Sequence, residues 1–210
     1  RGLISLAGAP CTPVGNLCKE KGTRMRPANE AELAELVAGA TGPLLVRGGG
    51  TRTLGHAVGE VLETGSLSGV ELYEPGALTL VVRAGTPLAA VENALAAERQ
   101  RLAFEPPDLR ALLGRDGVST IGGVVAANAS GPRRVQSGAA RDALIGLRFV
   151  DGSGTVIKNG GRVMKNVTGY DLVKLLAGSR GTLGVLSEVS FKVQAIPEAE
   201  ATLVIEGLGD

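Results

Sequence analysis

The chain has 210 residues, 44% of them hydrophobic, enough apolar material for one large packed core or two small ones. Its 22 basic and 21 acidic residues nearly cancel and are spread along the chain, which argues against a nucleic-acid partner, and glycine and charge interrupt every candidate for the roughly 20 apolar residues of a membrane span. Two cysteines, Cys11 and Cys18, and a single histidine, His56, assemble no metal-ligand set, so no metal is expected and the thiols are read as free ones in a reducing compartment.

Residues 1–25 read as a leader with little structural signal. In RPANEAELAELVAGATG, Asn29 is placed to cap a helix and Glu30 and Glu32 favour its positive N-terminus. Leu33, Leu36 and Val37 form its apolar face, with Gly39 or Gly42 as the stop. PLLVRGGG follows as a buried strand entering a glycine turn, GEVLETGSLSGVELYEPG as a turn-rich stretch with short strand-like pieces, and LTLVVRAG as a second buried strand. This order predicts an α+β lobe over about 26–85.

A second lobe, over 86–197, opens with TPLAAVENALAAERQ, where Thr86 is predicted as helix cap, Pro87 as first helical position and Leu88, Val91 and Leu95 as the inward face. Then come the loop FEPPDLRALLGRDGVS, the small-residue run TIGGVVAANASG, a hairpin LIGLRFVDGSGTVIKNGG turning at Asp151 and Gly152, a helix YDLVKLLAGS and a strand LGVLSEVSFKV. The final ATLVIEGLGD, residues 201–210, reads as a strand whose partners lie further along, so 198–210 is expected to begin a substrate-covering domain.

Glycine is in excess, 32 of 210, about twice its usual share of roughly 7%. In LLVRGGGTRTLGH, residues 44–56, three glycines follow an apolar strand. A Walker A loop needs lysine after its second glycine, but His56 follows Gly55; the dinucleotide fingerprint G-x-G-x-x-G needs glycine where Thr53 stands. The physics common to both remains, since consecutive glycines let backbone N–H groups approach an anion closely. Taken alone, this stretch is equally consistent with a loop that holds no ligand. In STIGGVVAANASGPRRVQSGAARD, residues 119–142, Gly122 and Gly123 precede very small residues, while Asn128, Ser130, Arg133 and Arg134 supply polar groups. Either something flat or extended lies along this run, or it is a core helix against a tight neighbour.

With a third stretch, KNVTGYDLVKLLAGSRGTLGVLSEVSFKV at 165–193, the order of motifs resembles the FAD-binding (PCMH-type) domain of the vanillyl-alcohol oxidase and para-cresol methylhydroxylase superfamily, over about 26–197. Within it, GPRR, SG and RD followed by VMKNVTGYDLVKLLAGSRGTLGVLSE are most similar to the FAD-binding subunits of bacterial glycolate oxidases. The resemblance implies an α+β, two-lobed domain with FAD between the lobes. It implies that Gly48, Gly49, Gly50, Thr51 and Arg52 hold the pyrophosphate, with Gly55 completing the turn, although many relatives carry serine where Arg52 stands. It places Thr120, Gly122, Gly123, Asn128, Ser130 and Gly131 along the ribityl chain and flavin ring, with Pro106 and Pro107 on the loop before. Arg134 is implied beside the flavin or the phosphates; ordinary pairing with acids is the alternative for Arg133, Arg134 and Arg141. Gly184 and Val185 match the adenine end, and Lys165, Asn166, Tyr170 and Asp171 are assigned to support of the fold. His56 stands too far from the glycines to tether the flavin, so the FAD is expected to be non-covalent.

The activity implied is oxidation of a small 2-hydroxy acid, glycolate to glyoxylate, with electrons passed to a second flavin subunit and an iron–sulfur subunit. The catalytic residues are unknown, and are expected in a following C-terminal domain or a partner. The implied location is cytoplasmic, with any membrane association peripheral, at the inner face and through partners. Two other readings stand beside this one. The first is a fragment of a stand-alone FAD-dependent D-2-hydroxy-acid dehydrogenase of the D-lactate type; the second is a non-catalytic scaffold, supported by Arg52 in place of serine and by the scarcity of aromatic residues.

Overall fold

A computed structural model of the chain describes residues 24–52, 58–161, 169–204 and 207; Gly55, His56, Lys165 and Asn166 lie outside them, as do residues 1–23. In chain order the elements are α1 (Glu30–Ala38), β1 (Leu44–Arg47), β2 (Glu60–Glu63), β3 (Val70–Glu74), β4 (Thr79–Arg83), α2 (Leu88–Ala97), β5 (Gln100–Arg101), α3 (Arg110–Leu113), α4 (Ile121–Ala126), α5 (Arg134–Ser137) and α6 (Ala140–Ala143). They continue with β6 (Leu144–Val150), β7 (Val156–Gly160), α7 (Leu172–Leu176), β8 (Val185–Lys192) and β9 (Gln194–Ala195).

Local signals hold where neighbours within a few residues decide the conformation. The Asn29 side chain accepts from the Glu32 N–H at 2.9 Å, and the helix closes at Gly39, whose N–H donates to the Glu35 carbonyl. The hairpin turns at Asp151, whose Oδ1 accepts from the Ser153 and Thr155 N–H groups, both at 2.9 Å. Asp171 caps α7 through the Lys174 N–H, and Tyr170, 88% exposed, accepts from the Asn159 amide through its backbone carbonyl at 3.3 Å.

Thr86 is not the cap of α2. Its hydroxyl instead bonds the Arg83 carbonyl at 2.7 Å and accepts from the Gly69 N–H at 3.0 Å. Pro87 precedes the helix in extended conformation, and the first helical N–H, that of Leu88, donates to the Ser119 carbonyl at 2.7 Å. The apolar face is the expected one, with Leu88, Val91 and Leu95 buried.

Strands β1 and β2 pair in parallel, while β3, β4, β8, β6 and β7 form an antiparallel five-stranded sheet in that order. Strands β3 and β4, residues 70–83, thus belong to the same sheet as β6–β8, because β4 pairs along its length with β8. One face of this sheet carries Leu80, Val82, Leu147, Val189 and Phe191 against Val91 and Leu95 of α2, Ile121 and Val124 of α4 and Leu176 of α7. A second cluster joins Leu33 and Val37 of α1 and Leu62 of β2 to Val150 and Val185 at the ends of β6 and β8. Strand β1, expected to be buried, is half-buried throughout, because it lies between this second cluster and a cavity. Residues 201–204 form no regular strand, and among the described residues no helix is long and apolar enough to cross a membrane.

Glu30 ties α1 to the large sheet. Its carboxylate accepts both a forked contact from the Arg148 guanidinium and the Ser187 hydroxyl, the latter at 2.5 Å. The Arg148 hydrogen bond, against the opposing effect of burial, holds the Glu30 carboxyl below the usual carboxylate range. A group whose pKa falls on folding stabilises the fold above its unfolded value and loses that contribution as pH drops through the folded value. Glu30→Gln should therefore be about 1 kcal/mol less stable near neutrality. The difference from wild type should close as urea midpoints are followed from about pH 7 to about pH 3; a constant difference would refute this role.

Candidate cofactor cavity

Beyond Arg47 the chain leaves β1 and turns through residues 48–52, with Gly50 left-handed at φ +69°. The first two glycines admit protein. A Cβ on Gly48 would lie 2.4 Å from the Thr120 hydroxyl, and one on Gly49 would lie 1.5 Å from the Val118 carbonyl oxygen. At Gly50 the Arg47 guanidinium occupies the space a side chain would need. The triple glycine thus lets the loop press against residues 117–120, and its backbone forms one wall of a cavity of about 610 Å³, a volume typical of small-molecule sites.

The start of α4 forms the second wall. Thr120 caps that helix, accepting from the Gly123 N–H at 3.3 Å, and Gly122 sits so close to Ala84 that an added Cβ would come within 2.7 Å of its carbonyl oxygen. The third wall is the loop between α7 and β8, residues 178–182, with Gly184 beyond it. Gly178 and Arg180 donate backbone N–H groups to Val125 and Ala126 at 3.0 and 2.8 Å, which fixes this loop to the end of α4.

Among the described residues, three cations line the cavity, Arg47, Arg52 and Arg180, and no carboxylate does. Arg52 is 9% exposed. Its nearest partners are neutral: Nη2 donates to the Pro107 carbonyl at 2.8 Å, and Nη1 to the Ser119 hydroxyl and, at 3.3 Å, to that of Thr51. Its Nε–H is buried and has no hydrogen-bond partner among the described residues. Burial pushes the Arg52 pKa down, the charge of Asp108 opposing. Asp108 itself is committed to Arg110, whose guanidinium hydrogen bonds draw its carboxyl down to about 2. A desolvated cation whose Nε–H has no partner among the described residues has the chemistry to accept an anion as a further partner.

Of the residues expected at a cofactor, Gly48, Gly49, Gly50, Thr51, Arg52, Thr120, Gly122, Gly123 and Gly184 line this cavity. Pro106, Pro107, Asn128, Ser130, Gly131, Arg134 and Val185 do not. Asn128 Oδ1 accepts from the Arg141 N–H at 3.0 Å and the Ser130 hydroxyl from the Ala140 N–H at 2.9 Å, so both serve the start of α6. Gly131 abuts the Glu105 carbonyl, Val185 packs its side chain in the second cluster, and Arg134 is exposed on α5. Arg133 takes the ordinary alternative, an ion pair with Glu105 at 3.1 Å. Sequence reasoning missed the loop 178–182, although its two glycines around Ser179 and Arg180 were a visible sign of an unusual turn. Among the described residues no cluster of His, Cys, Asp and Glu could hold a metal.

Comparison with known proteins gives the family and the fold. The family model described as FAD binding domain matches residues 23–160. The chain is 42% identical over 163 residues to glycolate oxidase subunit GlcE of Escherichia coli, covering 77% of this chain and 45% of that protein. It is 33% identical over 175 residues to glycolate oxidase subunit GlcD of Bacillus subtilis (77% and 34% covered), and 32% identical over 176 residues to a D-lactate dehydrogenase of Archaeoglobus fulgidus (80% and 38%). It therefore spans less than half the length of each of these relatives. An alkyldihydroxyacetonephosphate synthase structure shares the fold with a TM-score of 0.68 at 22% identity, over 84% of this chain and 32% of that one.

Proposed function

This chain belongs to the FAD binding domain family, and on that premise we propose that it is the FAD-holding part of an oxidoreductase acting on a small 2-hydroxy acid, glycolate being the first candidate. The observation that carries the reading is a cavity whose described lining holds three arginines, no carboxylate and a glycine-rich wall. In this reading the backbone of residues 48–52 and the Arg47 and Arg52 guanidinium groups receive the diphosphate, and the small residues at 120–123 leave room beside it for the rest of the cofactor. Gly184 belongs to the same wall, where the adenine end is proposed. Bound FAD would supply the acceptance of a hydride from the substrate C–H bond and the onward release of electrons. The chain's own contribution is to bind, orient and partly desolvate the cofactor; the base and the cations that the hydroxy acid requires are proposed to come from elsewhere in the full protein or from a partner. That two of the relatives are named as subunits of glycolate oxidases supports assembly with at least one further subunit; a second flavin subunit, an iron–sulfur subunit and a place on the cytoplasmic side of the membrane complete the proposal.

A non-catalytic scaffold is the poorer reading, since Arg52 adds a cation to the cavity where the exchange for serine had suggested a lost contact. The test is reconstitution with FAD followed by denaturation. The chain is expected to take up FAD with a bound-flavin spectrum and to release all of it into solution on unfolding, as a non-covalent flavoprotein does. A chain that stays colourless under excess FAD overturns the proposal, and colour that precipitates with the protein overturns the non-covalent attachment.

A further inference from the structure

Arg180 has a left-handed backbone, φ +54°, between Gly178 at +91° and Gly181 at +81°. Glycine adopts this conformation freely, whereas a side chain with a Cβ is disfavoured in it. The turn does not depend on the arginine side chain. It is held by backbone bonds from Gly178 and Arg180 to Val125 and Ala126 and by the Thr182 N–H and hydroxyl, which both donate to the Ser179 carbonyl at 3.0 and 2.7 Å. Only a long contact engages the guanidinium, Nη1 donating to the Arg52 carbonyl at 3.4 Å, and among the described residues it has no carboxylate partner. That contact shows its reach, since the cation extends from the 178–182 loop to the backbone of the glycine loop.

A strained residue that contributes little to the fold, lines a cavity and touches the backbone of its glycine loop is a sign of function. We propose that Arg180 is a rim cation that closes over the diphosphate of the bound dinucleotide, exchanging its long bond with the Arg52 carbonyl for phosphate oxygens. The inference rests on the reading of the cavity as the FAD site and adds a ligand that neither the glycine loop nor the family match specifies.

Two variants of the full 210-residue chain separate strain from charge. Arg180→Gly removes both, and Arg180→Gln keeps the side-chain strain while removing the charge. Both should weaken FAD and ADP, which share the diphosphate, by roughly tenfold. The loss should shrink as salt is raised. In the ligand-free chain only Arg180→Gly should raise Tm, by about 2–4 °C. Variants that bind FAD and ADP as tightly as a competent wild type, with or without the rise in Tm, overturn the proposal. A salt-independent loss accompanied by a fall in Tm does so as well, because it marks a structural role. If the wild-type chain itself binds neither FAD nor ADP, the reading of the cavity fails first and this inference falls with it.

Discussion

A Gly49→Ala variant is expected to lose about 3 kcal/mol of stability or to fail to fold, and to take up no FAD. The added Cβ would lie 1.5 Å from the Val118 carbonyl oxygen and 2.5 Å from its carbon. Both are backbone atoms, so no rotamer change relieves the clash. The opposing segment is also held in place, Leu88 N–H donating to Ser119 at 2.7 Å and Ile121 N–H to Thr86 at 2.9 Å. Gly117 meets Gly49 from the other side, with a hypothetical Cβ 2.4 Å from the Gly49 carbonyl oxygen and φ at +125°. The two backbones would have to separate, pulling Arg52 from the Pro107 carbonyl and the Ser119 hydroxyl. Gly42→Ala is the matched control, with nothing within 4 Å of its added Cβ. Urea unfolding should place that control within about 0.5 kcal/mol of wild type. If Gly49→Ala falls in the same range, the close approach of these backbones is not what the glycine serves.

Arg52→Met should divide binding from stability. The guanidinium is desolvated among neutral acceptors and keeps one N–H unpartnered, so in the ligand-free fold its hydrogen bonds to Pro107 and Ser119 are largely offset by the burial of charge. Methionine preserves much of the volume and removes that burden, so unfolding free energy should change by no more than about 1 kcal/mol. An anion in the cavity would supply the missing partner, and affinity for FAD should therefore fall by roughly 30-fold or more. Arg52→Lys retains the charge without the planar fork and is expected to lie between the two. Flavin titration alongside urea unfolding decides the matter. Arg52→Met binding FAD like wild type would remove Arg52 from the site, and a stability loss of about 3 kcal/mol or more would make it a brace of the 107–119 segment.

The sequence by itself determined the parts that depend on neighbours a few residues away. The Asn29 cap, the inward face of α2 and the Asp151 turn follow from side-chain reach and from the helical period. The glycine runs at 48–50 and 122–123 marked two walls of the cavity for the same reason: a backbone stripped of side chains is prepared for close approach. What approaches was decided by tertiary structure alone. Val118 facing Gly49, and Ala84 facing Gly122, are consequences of strand order and of the bridge between Pro87 and Thr120, which no local pattern encodes. Thr86 had the composition of a cap, yet its hydroxyl was claimed by Arg83 and Gly69 once β4 had paired with β8. Asn128 and Ser130 were drawn off in the same way, to the N–H groups at the start of α6. Arg180 gained its meaning only when the 178–182 loop was fixed to the end of α4 and its guanidinium reached the glycine loop. Hydrogen-bonding groups of equal local promise are assigned by which partners the packed sheet brings within about 3 Å, and that is settled by long-range burial of apolar surface.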